Sequence, residues 1–296
     1  MPRIIGRTLN VHGLHQTISP MLQILEKKTP PYELAAQMIA QAKRIVCFTG
    51  AGASTDSGIP DFRGMGNSYW TQYDLKHFHY THFMDSEESR RIYWKMEQEF
   101  YELVLSVRPN AIHDASVELE HYNKLYAIIT QNVDSLHQRA GNSPQLVIEI
   151  HGNIFSVGCR NCLRKYSREE IYYRIKNGVA VPYCDYCGGI LKSDTVAFGQ
   201  SMPLFEFSQS LKAVYASDLF IVIGSSLLVQ PAAYLIVKAK EIHSKVLLLN
   251  LISTPYDHCA NFIIYENAER AITKIMEIVR KKLTLRQPPS TGPRMT

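Results

Sequence analysis

The chain of 296 residues has no uninterrupted apolar run of about 18 residues, the length at which a segment becomes a candidate membrane span. It has no N-terminal apolar stretch with a cleavage site, which argues against a secretory signal. Cysteine is scarce: six residues, too few and too paired in spacing for a secreted disulfide scaffold. An excess of one charge is also lacking, with 32 basic against 27 acidic residues and a net charge of +5. That mild balance suits an acidic small-molecule cofactor and gives no sign of the clustered basic surface of a nucleic-acid binder. Acidic residues are missing before Glu26, while Arg3 and Arg7 stand in that stretch. A mitochondrial presequence would be Arg-rich and acid-poor, and this segment is only weakly so. The expectation is an intracellular, cytoplasmic protein, or a mitochondrial one in a eukaryote, with no membrane and no direct nucleic-acid partner.

What is present is a 46% hydrophobic content, enough for one large domain or a large domain with a small satellite. An apolar run, Ile45 to Phe48, reads as the first strand of a parallel sheet. Gly50, Ala51, Gly52 and Ser54 follow it, and the glycines permit a tight turn and a close approach to a ligand. A pyrophosphate held by main-chain amides is the usual occupant of such a turn. A turn with no ligand is the competing reading, because short Gly motifs match often by chance. Asp61, Phe62 and Arg63 then set a carboxylate, an aromatic face and a cation side by side.

Three more strand patterns end in polar residues. Leu125 to Thr130 runs into Gln131, Asn132 and Asp134, where a strand end would meet a ligand. Val147 to Ile150 runs into His151-Gly152, and an imidazole accepts a proton near neutral pH. Leu219 to Ile223 runs into Gly224, Ser225 and Ser226. Between the second and third lie Cys159-x-x-Cys162 and Cys184-x-x-Cys187, 21 residues apart. Two such knuckles make a closed tetrahedral thiolate site, hence one structural zinc. The module, about 155–191, is too small for its own core and should depend on metal to fold. Cys47 and Cys259 read as buried thiols. Helical patterns are expected over Glu33 to Lys43, Glu87 to Leu105 (Ile92, Met96, Phe100, Leu103 and Val104 inward) and Ala268 to Lys282. Asn110 is a plausible start for another, with His113 three places on.

The run Gly50-Ala51-Gly52-x-Ser54-x-x-Ser57-Gly58-Ile59-Pro60-Asp61-Phe62-Arg63-Gly64 resembles the signature of the sirtuins, the NAD-dependent protein deacylases. The other sirtuin-like motifs follow in order: Pro109-Asn110-x-x-His113, Gln131-Asn132-Val133-Asp134-x-Leu136-His137, Glu149-Ile150-His151-Gly152, Val196-x-Phe198-Gly199, and Gly224-Ser225-Ser226-Leu227-x-Val229-x-Pro231. The resemblance covers about Tyr32 to Lys282. It implies an α/β fold, a doubly wound parallel (Rossmann-like) sheet with a small inserted zinc-ribbon module; outside it lie an arm (1–31) and a tail (283–296) whose three prolines predict disorder.

The resemblance further implies catalytic roles for His151 and Asn132. It implies a nicotinamide pocket of Ile59, Asp61, Asn132 and Asp134, with Phe62 shielding the ribose and a mobile cofactor loop over Tyr69 to His82. Arg63, Gln131, Ser225, Ser226, Asn250, Leu251 and Ala268 complete the NAD contacts. Val196, Phe198, Gly199 and Val229 would line the acyl-lysine peptide. The implied reaction yields nicotinamide, 2′-O-acyl-ADP-ribose and free lysine from acyl-lysine proteins or peptides. Three departures bear on substrate, two of them in the peptide stretch: Gln200 stands where an acid is common, and Ala197 where a bulky aromatic is frequent. Tyr93 is followed three places later by Met96 and not by the Arg of sirtuins that remove acidic acyl groups; Arg90 and Arg91 are the candidate substitutes, at positions that do not match. Mono-ADP-ribosyl transfer from NAD, encouraged by the Arg90–Trp94 run and Gln200, is the alternative activity; a non-catalytic NAD-binding scaffold is a third reading.

Overall fold

After Pro30, a stripe of small and branched residues forms helix α1 (Pro31–Gln41), which buries Ala35, Ala36, Ile39 and Ala40. Proline is harmless in its first turn, where the missing N–H would have no helical partner. The structure is a computed structural model that describes residues 30–61 and 73–285. The expectations placed on residues 1–29, on Phe62, Arg63 and the loop as far as position 72, and on 286–296 lie outside the described residues.

Strand β1 (Ile45–Thr49) is followed by a short helical turn at Leu75–Phe78, α2 (Tyr80–Asp85), α3 (Glu87–Ser106) and α4 (Ala111–His121). The part of Tyr69 to His82 that is described is helical over Leu75–Phe78 and again from Tyr80, with His79 extended between them. Next come β2 (Leu125–Thr130), α5 (Leu136–Ala140), β3 (Val147–Glu149), β4 (Ser156–Cys159), β5 (Lys165–Ser167), α6 (Arg168–Lys176) and β6 (Leu191–Ser193). The chain closes with α7 (Leu204–Ala216), β7 (Leu219–Ile223), α8 (Leu235–Glu241), β8 (Lys245–Asn250), β9 (Phe262–Tyr265) and α9 (Ala268–Thr284).

Six strands make one parallel sheet in the order β3-β2-β1-β7-β8-β9. Strands buried on both faces need apolar residues at every position, and β1 and β7 are buried along their whole length. Alternate residues serve opposite cores. Ile45 and Cys47 face α1, α4 and α9 with Ile221 and Leu247. Val46 and Phe48 face α7 and α8 with Phe220 and Val222. The order reverses between β1 and β7, and open sheets of this kind bind ligands in the crevice at that switch. Cys47 and Cys259 are both buried, and burial pushes the Cys47 thiol up to about 12.

The ribbon strands form a separate antiparallel sheet, β5-β4-β6. It reaches Ser193, slightly beyond the expected 191, and it shares one core with α2 and α3: Trp94, Phe100 and Tyr101 pack with Val157, Tyr166, Ile171 and Leu191. The buried face of α3 differs from the expected one. Met96, Phe100 and Val104 are buried as anticipated, but so are Arg90, Tyr93, Trp94, Glu97 and Tyr101, while Ile92 and Leu103 are only half-buried. The cause is that α3 is covered on more than one side, so a single 3.6-residue stripe underestimates its interior.

Candidate functional site

The loops after β1 and β7 meet at the switch point, backbone against backbone. The Gly50 N–H donates to the Ile223 carbonyl (3.1 Å) and the Gly52 N–H to the Gly224 carbonyl (2.9 Å). A Cβ on Gly50 would fall 2.8 Å from the Gly224 oxygen, and one on Gly224, whose φ is +61°, would fall 2.4 Å from the Gly52 carbonyl carbon. The amides of Ala53 and Ser54 turn back onto Gly50 and Ala51. The room these glycines make is taken first by the neighbouring turn, and of the four residues expected at a pyrophosphate, Gly50, Gly52 and Ser54 have their amides engaged within the fold.

Behind this interlock lies a buried polar chain. Asn132 donates through Nδ2 to the Gly50 carbonyl (3.1 Å) and to Ser54 Oγ (3.0 Å). Ser54 Oγ donates to Asp134 Oδ2 at 2.7 Å, and Asp134 Oδ1 accepts from the Leu136 N–H at 2.9 Å. Burial pushes the Asp134 carboxyl above the usual range, although the Leu136 and Ser54 bonds act against it. Gln131 ties β2 to the β7 loop by donating to Ser225 Oγ at 2.7 Å. Ser54→Ala removes a donor to a buried carboxylate and an acceptor from Asn132; a loss of about 1–3 kcal/mol of stability is expected. Urea unfolding measures it, and an unchanged midpoint would count against the chain.

His151 follows β3 and is half-buried. Its Nδ1 lies 3.1 Å from the Gln131 carbonyl. A carbonyl only accepts, so Nδ1 carries the proton and Nε2 presents a lone pair. Burial lowers the imidazole pKa, while the bond to Gln131 opposes that shift. The ring is accordingly neutral, the basic form, at neutral pH.

Of the other expected residues, Ile59 and Ala268 are buried, and Asn250 is buried with its amide on the Ile252 carbonyl at 2.8 Å. Leu251 is 70% exposed. Asp61, Ser226 and Val229 are half-buried. After β6, residues 197–200 form a turn, in which the Gln200 N–H donates to the Ala197 carbonyl at 3.0 Å with Gly199 at φ +74°, and Phe198 makes an isolated parallel bridge with His79. A positive φ at the third turn position calls for glycine. The Gln200 side chain accepts from the Ala197 N–H at 3.1 Å, and the Phe198 ring remains exposed beside it.

Asn110 does more than its sequence signal suggested. It caps α4 by accepting from the Ile112 N–H (2.9 Å), as expected, and its Nδ2 also holds the Ala53 carbonyl (2.9 Å). His113 closes the capping box and packs against His137, ring centroids 4.8 Å apart. Burial pushes His113 down from 6.5 to about 4, and burial followed by the charge of His113 pushes His137 well below 6.5. Below pH 6.5 the unfolded chain binds protons that the fold refuses. This contribution to stability is complete above that value and is lost as pH falls toward 4, by about 1.4 kcal/mol per pH unit for each histidine. Urea unfolding at two pH values within that window checks the sign; equal midpoints refute it.

The four ribbon cysteines place their Sγ atoms within 4.8 Å of one another. Cys159 and Cys187 are 3.6 Å apart, Cys162 and Cys184 3.7 Å. A tetrahedron with metal–sulfur bonds of about 2.3 Å has edges of about 3.8 Å, so the tetrad fits zinc. Main-chain N–H groups of Asn161 and Cys162 point at Cys159 Sγ, both at 3.4 Å, and a Cβ on Gly189 would fall 2.9 Å from the same sulfur. With four protein ligands there is no open position, which makes the metal structural.

A strand-order switch point with interlocked glycine turns, a neutral imidazole after β3 and a four-cysteine ribbon fit the class of dinucleotide-dependent enzymes with a structural metal. The family model described as "Sir2 family" matches residues 50–231. An NAD-dependent protein deacetylase of Thermodesulfovibrio yellowstonii is 36% identical over 257 residues, covering 87% of this chain and 97% of that protein. Among solved structures, a Sir2 homologue in complex with ADP-ribose aligns with TM-score 0.78 and 32% identity over 86% of this chain and 99% of its own. A Sir2 complex with a p53 peptide and NAD+ aligns with TM-score 0.71 and 32% identity, covering 83% and 97%. The chain belongs to the Sir2 family, the sirtuins.

Proposed function

We propose that His151 is the general base, and Asn132 and Asp134 the orienting groups, of a reaction that strips acyl groups from lysine side chains of protein substrates. The protein is an NAD-dependent protein deacylase whose cofactors are NAD and one structural zinc. The observation that carries the assignment is the Nδ1–Gln131 bond, which leaves Nε2 free to take a proton. When bound, NAD would supply an electrophilic ribose carbon and nicotinamide as its leaving group. His151, through Nε2, would be the acceptor for the proton of a ribose hydroxyl. Asn132, held by Gly50 and Ser54, and the buried Asp134 keep the nicotinamide end oriented. Val196, whose N–H donates to the His151 carbonyl at 2.8 Å, Phe198, Gly199 and Val229 receive the acyl-lysine peptide. The Sir2 family includes a member solved with a propionylated peptide, and an acyl-lysine segment is the partner we assign here. Four closely set thiols suit a reducing compartment, consistent with intracellular placement; among the described residues no helix is long and apolar enough to cross a membrane.

The features that encouraged ADP-ribosyl transfer have structural explanations. Arg90 is buried and donates to the Phe83 and Met84 carbonyls, satisfying the end of α2. Tyr93 and Trp94 are core residues, and Gln200 closes its own turn. Arg91 is 63% exposed and pairs with Glu87. Neither arginine replaces the missing Tyr-x-x-Arg cation, so uncharged acyl groups are preferred. Acetyl-lysine peptides are expected to outpace succinyl-lysine peptides at least about tenfold, the worth of one unpaired charge. Mass spectrometry of reactions with NAD and acetyl, succinyl, long-chain and lipoyl peptides tests both points. Acylated ADP-ribose from one of them establishes the preference; ADP-ribose mass added to protein with no acylated product would reverse the assignment.

A further inference from the structure

The stretch Lys192–Thr195 carries no group expected to touch substrate, and the fold invests heavily in fixing it. The Asp194 N–H donates to the Ser156 carbonyl at 2.9 Å, and two residues on, the Val196 N–H donates to the His151 carbonyl at 2.8 Å. Between these bonds the Asp194 carbonyl lies 1.9 Å from where a Cβ of Gly152 would be. Gly152, at φ +77°, directly follows His151. The Lys192 ammonium is fully buried and donates to the Ser193 and Thr195 carbonyls at 3.1 and 2.5 Å.

The Asp194 side chain fastens this stretch to the ribbon. Its Oδ2 accepts from Ser156 Oγ (2.5 Å) and Lys165 Nζ (2.7 Å), and its Oδ1 from the Arg160 guanidinium (2.9 Å). Asp194 is 17% exposed and Arg160 20%. Arg160 lies inside the first cysteine knuckle, and Lys165 opens β5. Burial raises the Asp194 pKa, but the bonds from Lys165 and Ser156 more than offset it, so the carboxyl sits below the usual range and stays ionised. Charge-assisted bonds of this kind are the strong ones, and neutralising the acceptor leaves two cations short of a partner.

We propose that Asp194 is a positioning residue for His151: its carboxylate locks the 194–196 main chain, which walls Gly152 and bonds the His151 carbonyl, and so holds the imidazole at the reacting ribose. The proposal rests on His151 being the general base. Without the carboxylate clamp, the imidazole keeps its Gln131 bond but loses the wall behind its own backbone. Small displacements of a catalytic group are costly to rate while leaving binding intact.

Two rates in the full-length zinc-loaded enzyme test this: exchange of labelled nicotinamide into NAD, which needs no base at the ribose hydroxyl, and formation of acylated ADP-ribose, which does. Asp194→Asn is expected to leave exchange and the KM for NAD within about twofold while acyl transfer falls between about tenfold and a hundredfold. Lys165→Met, which removes one donor, is expected to give a smaller split in the same direction. General loosening of the fold lowers both rates together. Unchanged rates, or equal losses in both, overturn the proposal. If Asp194→Asn does not accumulate as folded protein, Lys165→Met decides on the same two rates, and no split there refutes the positioning role. His151→Ala is run in parallel; if it retains acyl transfer, the base assignment fails, whatever Asp194→Asn shows.

Discussion

His151→Ala is expected to bind NAD as the parent does, to sustain nicotinamide exchange, and to lose deacylation by about 10²–10⁴-fold, the usual worth of a general base. The expectation follows from protonation and geometry together. Nδ1 is committed to the Gln131 carbonyl, burial holds the ring pKa below 6.5, and Nε2 is left as the basic atom. The parent's kcat/KM should therefore hold through neutral pH and fall only as the solution is acidified past the lowered His151 pKa. Below that point the ring is protonated and can no longer accept. The alanine variant should lack this acid limb. Initial rates across a pH series in both proteins are the check, and an acid limb that survives in the variant would assign it to another group.

Removing zinc, or replacing Cys159 by serine, is expected to unfold the ribbon and take α2 and α3 with it. The ribbon has three short strands and one helix, too little to stand alone, and structural zinc contributes on the order of 10 kcal/mol in isolated small metal domains. Its loss is not contained locally, because Trp94, Phe100 and Tyr101 of α3 share a core with Val157, Tyr166, Ile171 and Leu191 of the ribbon. A fall in melting temperature on the order of 10 °C or more is expected for a chain of this size. Deacylation should disappear with it, since the ribbon also supports the stretch behind His151. Calorimetry with and without a chelator measures the change. Normal melting of a metal-free Cys159→Ser protein would show that the thiolate cluster is dispensable to the fold.

The residues whose chemistry is local were readable in the chain. Four cysteines in two close pairs have few other uses, and their sulfurs do converge. Apolar runs bounded by glycine or polar residues gave four of the six strands of the large sheet within a residue of their ends. Asn110 was legible as a cap because capping joins a residue to N–H groups two or three places away. Its second bond, to Ala53, was not legible, because it crosses 57 positions.

The sequence by itself determined the sheet-forming runs, the zinc ligands and the order of the site motifs, all of which follow from side-chain chemistry and short spacing. Only the tertiary structure decided how those pieces are used. Gly50 and Gly52 serve an interlock with Gly224, Arg90 is spent on the end of α2, and Asp194 ties the ribbon to the His151 loop. The physical reason is that a glycine's missing Cβ or an ion's charge declares a need for space or a partner, but not which distant segment will meet it. That choice is made when β1 and β7 come together at the switch point and the ribbon closes on α3.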